Sequence, residues 1–176
     1  MQLIIITGLS GSGKSVVLRA LEDTGYYCVD NLPATLLPQI CENLKSTQSR
    51  IAVSTDTRSA ALEALPENIQ KLKSQGINVQ VLFLESTTQS LVKRFSETRR
   101  RHPLSSESMT LAESIEYERK LLVPLAELGH HIDTSDLSAN TLRGWVKDFV
   151  SQDNKTMRSE ERRVGKECRS RWSPYH

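Results

Sequence analysis

The chain has only three cysteines, Cys28, Cys41 and Cys168, and no two stand at CxxC spacing. That argues against a disulfide framework and a cysteine zinc site, and leaves buried or free thiols in a reducing cytoplasm as the expectation. Long apolar runs are missing as well. The longest near the N-terminus is Leu3-Ile4-Ile5-Ile6, too short for a signal peptide or a membrane span. A cytoplasmic protein with no membrane partner is expected. Charge of one sign is also lacking, with 23 basic residues against 21 acidic and a net +2. Residues 1–158 are balanced, and the excess lies in residues 159–176. No global basic field therefore argues for nucleic-acid binding.

The 176 residues, 38% hydrophobic and 25% charged, suffice for one globular domain with its own core. Residues 2–7 form a continuous β-branched apolar run, the pattern of a strand buried on both faces of a parallel sheet. A Gly/Ser loop follows, then a helix over Val16–Thr24 stopped by Gly25. Strands are expected at residues 26–29, 50–55, 77–84 and 130–133, and helices at 33–44, 59–75, about 90–99, 109–128 and 138–150. Ser135 or Asp136 is the expected cap of the last helix. Alternating strands and helices predict a doubly wound α/β domain, its mostly parallel sheet of about five strands flanked by helices. The domain is expected over residues 1–153. Residues 154–176 read as an atypical tail foreign to the fold, its last 18 residues, 159–176, being rich in Arg and Ser without apolar periodicity, and a basic arm for RNA or an acidic partner is the alternative.

Residues 8–15 read Gly8-Leu9-Ser10-Gly11-Ser12-Gly13-Lys14-Ser15 and satisfy G-x-x-x-x-G-K-[ST] at every fixed position. Glycines let the chain turn so that successive N–H groups converge on phosphate oxygens, and the following helix adds its N-terminal amides and dipole. Lys14 supplies charge to the β- and γ-phosphates, and the Ser15 hydroxyl is a hard ligand suited to Mg²⁺. Such a site needs an acid for the metal shell. Asp30, Asp56 and Glu85 all follow strands, where ligands of open α/β sheets bind. Glu85 ends the most apolar strand, the look of a Walker B segment. Asp56 is followed by Arg58, so that loop offers both carboxylate and cation. The sequence does not rank the three. Arg99-Arg100-Arg101-His102, before a Pro-containing loop, is a candidate lid, since arginine binds phosphate bidentately. His130 and His131 have no third ligand at metal spacing and are expected to be structural.

Residues 8–40, GLSGSGKSVVLRALEDTGYYCVDNLPATLLPQI, closely resemble the opening of the RapZ/YvcJ family of bacterial nucleotide-binding proteins. The resemblance continues through AVSTDTRS at 52–59, LFLES at 82–86, ETRRRHPLS at 97–105 and IDTSDLS at 132–138, covering about residues 1–150. It implies a kinase-like P-loop NTPase domain that binds ATP and GTP with Mg²⁺ and hydrolyses both weakly. It places nucleotide on Gly8–Ser15 and a guanine-nucleotide segment on Asp56, Thr57, Arg58 and Ser59. Adapter members of the family present a small regulatory RNA controlling glucosamine-6-phosphate synthesis to a ribonuclease, so RNA, a ribonuclease and a homo-oligomer are the implied partners. Family members are nearly twice this length, and their C-terminal, RNA-binding domain is expected to be absent here. Position 85 is Glu where the resemblance implies Asp, which shifts the expected metal role toward Asp56. The catalytic set carried forward is Lys14, Asp56 and Asp30, with Ser15, Asp56 and Glu85 toward the metal. The alternative is a small-molecule kinase in which Asp30 is the base at the acceptor site.

Overall fold

The computed structural model describes residues 1–55 and 62–160. The elements run β1 (Gln2–Gly8), α1 (Lys14–Asp23), β2 (Tyr27–Val29), α2 (Leu37–Leu44), β3 (Arg50–Ser54), α3 (Leu65–Ser74), β4 (Asn78–Glu85), α4 (Thr88–Thr98), α5 (Leu111–Ala126), β5 (His130–Asp133) and α6 (Ala139–Glu160). Single 3-10 turns at Ala34–Leu36 and Leu62–Ala64 lead into α2 and α3. Five parallel strands form one sheet in the order β2-β3-β1-β4-β5.

The apolar run of β1 is explained by its central place, because it pairs with β3 on one side and β4 on the other. Side chains alternate along a strand. Ile4 and Ile6 therefore pack with Val17 and Leu21 of α1 and Trp145 and Val146 of α6. Leu3 and Ile5 pack on the opposite face with Leu37, Ile69 and Leu122 from α2, α3 and α5. Burying both faces demands apolar residues at every position, hence the unbroken run.

From β1 the chain leaves through α1 toward β2 and β3. From β4 it leaves toward β5. Between β1 and β4 lies a topological switch point, and its carboxyl end is the crevice where open α/β sheets bind ligands. The ladder Gly8↔Leu84 brings the end of β1 to that crevice. Gly8 is required there because a Cβ would stand 2.1 Å from the Leu84 carbonyl oxygen.

The structure departs from the sequence reading at element ends. The helix expected over residues 138–150 runs on to Glu160. Its start is capped by neither Ser135 nor Asp136, because Ser138 Oγ accepts from the Thr141 N–H at 3.1 Å. Ser135 is engaged instead with Asp133, whose Oδ1 accepts from the Ser135 N–H at 2.9 Å. The helix expected from Pro33 begins at Leu37, after the 3-10 turn. The strands fall within a residue or two of their expected places.

Candidate nucleotide site

The loop after β1 turns through Gly11 (φ 81°) and Gly13 (φ 109°), a region of backbone space that side chains disfavour. Gly13 is the N-cap of α1 and has no side chain to cap it. The first-turn amides of Ser15 and Val16 accordingly donate to no acceptor among the described residues. Unsatisfied N–H groups at the positive end of a ten-residue helix form a ready anion site. Lys14 Nζ donates to the Gly8 carbonyl at 3.0 Å, folding its stem back over the loop. Ser12 is buried, and its hydroxyl donates to the Leu9 carbonyl at 2.5 Å.

Three elements hold this loop from outside. Glu118 on α5, 0% exposed, accepts from the Ser10 N–H at 2.7 Å and from Ser10 Oγ at 2.5 Å. Arg94 on α4 donates to the Gly11 carbonyl and to Thr134 Oγ1, both at 3.1 Å, and also to the Thr134 carbonyl. Thr134, just past β5 and 1% exposed, donates its hydroxyl to the Ser12 carbonyl at 2.6 Å. Burial pushes the Arg94 guanidinium down from its ordinary range, while Asp133 and Asp136 pull it back up.

Against the loop lies a cleft of about 590 Å³. It is lined by Ser10–Val16 and by three arginines, Arg94, Arg100 and Arg101. Phe95, Leu137, Ala139 and Leu142 add apolar lining. Phosphates would meet amides and guanidinium groups here, and a flat ring would meet carbon. Of the expected lid arginines, Arg100 and Arg101 line the cleft. Arg99 does not; it ends α4 in a left-handed conformation.

Other expected site residues lie elsewhere. The Leu9 side chain is buried in the core, so it serves packing. Glu85 does not border the cleft: its Oε1 lies 3.6 Å from His131 Nδ1. Strand alternation is the reason, since position 85 is in phase with Val81 and Phe83, which pack on the α5 side of the sheet. Asp30 also stands off the cleft. It follows β2, which β3 separates from β1, and its Oδ1 accepts from the Ser54 hydroxyl at 2.5 Å. Asp56, Thr57, Arg58 and Ser59 lie outside the described residues, although the preceding Thr55 continues the ladder through an N–H bond to the Ile6 carbonyl at 3.0 Å. His131 tilts against Phe83 at 5.1 Å and His130 meets Phe149 edge-on at 5.7 Å, contacts that pack the end of the sheet. Among the described residues no group of three or more His, Cys, Asp or Glu could hold a metal ion.

Glu118, Arg94 and Thr134 went unnoticed in the sequence. For Glu118 a signal was present: it falls in phase with Ile115, Leu122 and Leu125, the buried stripe of α5. A carboxylate on the core side of a helix must have a partner there.

A five-stranded parallel sheet in this order, with a glycine-turned loop feeding the N-terminus of α1, defines a P-loop domain of the kinase-like kind. Solved structures agree on the fold. A gluconokinase from Sinorhizobium meliloti superposes with a TM-score of 0.59 at 20% identity, covering 90% of this chain and 97% of that one. A shikimate kinase from Acinetobacter baumannii, in complex with shikimate, gives 0.57 at 17% identity, covering 88% and 93%. The chain belongs to the RapZ-like N-terminal domain family, whose pattern it matches over residues 1–154. A nucleotide-binding protein of Methylobacillus flagellatus is 68% identical over 155 residues, covering 88% of this chain and 55% of that protein. One of Chromobacterium violaceum is 58% identical over 155 residues, covering 87% and 55%. The chain thus spans about half the length of the curated relatives it matches.

Proposed function

We propose that the cleft binds the Mg²⁺ complex of ATP or GTP and hydrolyses it slowly, as the nucleotide-responsive half of a regulatory adapter acting in the cytoplasm. One observation carries this reading: the open amides at the start of α1, Lys14 and three arginines, Arg94, Arg100 and Arg101, line one cleft that also carries apolar side chains. The amides of residues 11–15, apart from Ser12 whose N–H donates to the Leu9 carbonyl at 3.1 Å, would bind the β- and γ-phosphates with the Lys14 ammonium, and the arginines would steady charge as it develops. Magnesium, when bound, neutralises phosphate charge. The donor set fits it through the hydroxyl of the exposed Ser15, which lines the cleft. Asp56 is the proposed carboxylate of its water shell, because the described candidates Asp30 and Glu85 stand off the cleft. The segment Asp56-Thr57-Arg58-Ser59 is proposed to complete the nucleotide site from the end of β3. RNA, a ribonuclease and a homo-oligomer are proposed as partners of the longer relatives, RNA binding belonging to the length this chain does not span.

A second reading has its own observation. Asp30 is exposed beyond the end of β2, and its carboxylate is fixed by the Ser54 hydroxyl. A held carboxylate at that end of the sheet could serve as the base of a small-molecule kinase. Phosphate release measured with and without added sugars and hydroxy acids separates the two. Slow release that no added compound alters, and that persists in Asp30→Asn, is the expected result. A sharp rise with one metabolite, abolished in Asp30→Asn, would replace the hydrolase reading with the kinase.

A further inference from the structure

His102 is 2% exposed, yet it follows two exposed arginines that line the cleft. Its ring tilts against Phe95 at 5.4 Å. Nδ1 accepts from the Leu104 N–H at 3.0 Å, which leaves the ring proton on Nε2. That nitrogen stands 3.4 Å from Glu118 Oε1. The same oxygen accepts from the Ser10 N–H, and its twin accepts from Ser10 Oγ. The His102 carbonyl accepts from the Ser105 N–H at 3.0 Å, and Arg101 Nε donates to Ser105 Oγ at 3.1 Å, so residues 101–105 form one hydrogen-bonded turn around the buried ring.

We infer that Glu118 and His102 are positioning residues that tie the cationic segment Arg100-Arg101 to the tip of the P-loop through one buried carboxylate. This rests on the nucleotide reading of the cleft and deepens it. The two halves of the phosphate site come from distant parts of the chain, the open amides from the start of α1 at Ser15 and Val16 and the guanidinium groups from residues 100 and 101. Packing joins the same two parts, since a Cβ on Gly11 would stand 3.2 Å from the Phe95 ring against which His102 tilts, while the hydrogen-bonded link through Glu118 is the one that reaches Ser10. A carboxylate accepts from several donors at once, and a buried one does so in a fixed geometry. His102 therefore acts as a peg: while it sits on Glu118, Arg100 and Arg101 stand at a set distance from the loop. Withdrawing it frees the arginine turn and removes one of the bonds that orient the carboxylate on Ser10.

The discriminating variants are His102→Asn and His102→Gln. Asparagine can still accept from Leu104 but is too short to reach Glu118. Glutamine extends its amide to about the position of Nε2 and restores a donor there. The first readout is amide exchange without nucleotide. In His102→Asn the Ser10 amide exchanges about tenfold faster, as expected for weakening a hydrogen bond to a charged group. The α5 amides of Leu122 and Leu125 keep their protection, and His102→Gln recovers most of the loss. The second readout is MgATP affinity. Arg101→Ala weakens binding about tenfold in the wild type, the scale of one charge-assisted phosphate contact, and less than about twofold in His102→Asn. Should His102→Asn fail to fold, Ser10→Ala, which deletes only the hydroxyl bond, carries the same expectation that Arg101→Ala loses part of its effect. Equal behaviour of the Asn and Gln variants, or an Arg101→Ala factor that is the same in every background, would overturn the tie. A wild type that binds no nucleotide overturns the reading of the cleft but leaves the exchange result to decide the peg on its own.

Discussion

Gly13 holds φ at 109°, and a Cβ there would meet Leu142 Cδ2 at 2.9 Å. Gly25 holds φ at 99° with nothing within 4 Å of the same atom. Both must therefore resist alanine for backbone reasons, at about 1–2 kcal/mol each. Only Gly13 adjoins the anion site. Urea unfolding is expected to show similar losses for Gly13→Ala and Gly25→Ala, while nucleotide affinity falls in Gly13→Ala alone. The thiols make a separate prediction. Burial raises Cys41 to about 11, and burial with the nearby Glu22 charge raises Cys28 to about 11. A thiol that ionises later in the folded state contributes stability that is whole below its ordinary value near 9 and is lost as pH climbs toward 11. The unfolding midpoint should fall across that window, and fall less in Cys41→Val. A midpoint that is flat from pH 8 to 11 would contradict the burial of these thiols. Modification of both by iodoacetamide at pH 8 is expected to be slow in the folded protein and fast in urea.

Helix α5 shows how much of the site could be read from sequence and how much could not. Its existence was legible from apolar spacing, and Thr110 caps it by accepting from the Glu113 N–H at 3.2 Å. Thr110→Ala should cost about 1 kcal/mol, the usual loss for a cap. Because Glu118 rides on this helix, a frayed start should also speed exchange at Ser10, which no other connection would require. The P-loop itself was legible because its chemistry is local: glycines, Lys14 and Ser15 stand together in eight residues. Glu118 was less plain, because its helical phase with Ile115, Leu122 and Leu125 is masked by the charged neighbours Glu116, Arg119 and Lys120, which read together with it as a solvated run. Arg94 and Thr134 escaped for a related reason. Their role is to join carbonyls of a loop more than eighty residues away, and no local pattern encodes such a contact. Which way the strand-end acids face was beyond the sequence. Being at a carboxyl end decides depth along the sheet, but strand order and side-chain alternation decide which face and which crevice a carboxylate meets. Those sent Asp30 to Ser54 and Glu85 to His131.

The described domain is organised so that one crevice gathers segments from distant parts of the sequence. The open amides come from the start of α1, the cations from α4 and the turn after it, and apolar lining from the loop before α6 and its first turn. Each part is held by the others through Glu118, Arg94 and Thr134, so the site is preorganised before a ligand arrives. The domain spans about half of its curated relatives, and whether it binds on its own is the central question. Calorimetric titration of MgATP and MgGTP into this chain, with Lys14→Ala as control, answers it most directly. We expect saturable binding of at least one nucleotide, weakened in Lys14→Ala by a margin of about 1.5–3 kcal/mol, the worth of a hydrogen bond to a charged group. Binding that survives unchanged in Lys14→Ala, or no binding by the folded wild type, would contradict a self-sufficient phosphate site in this cleft.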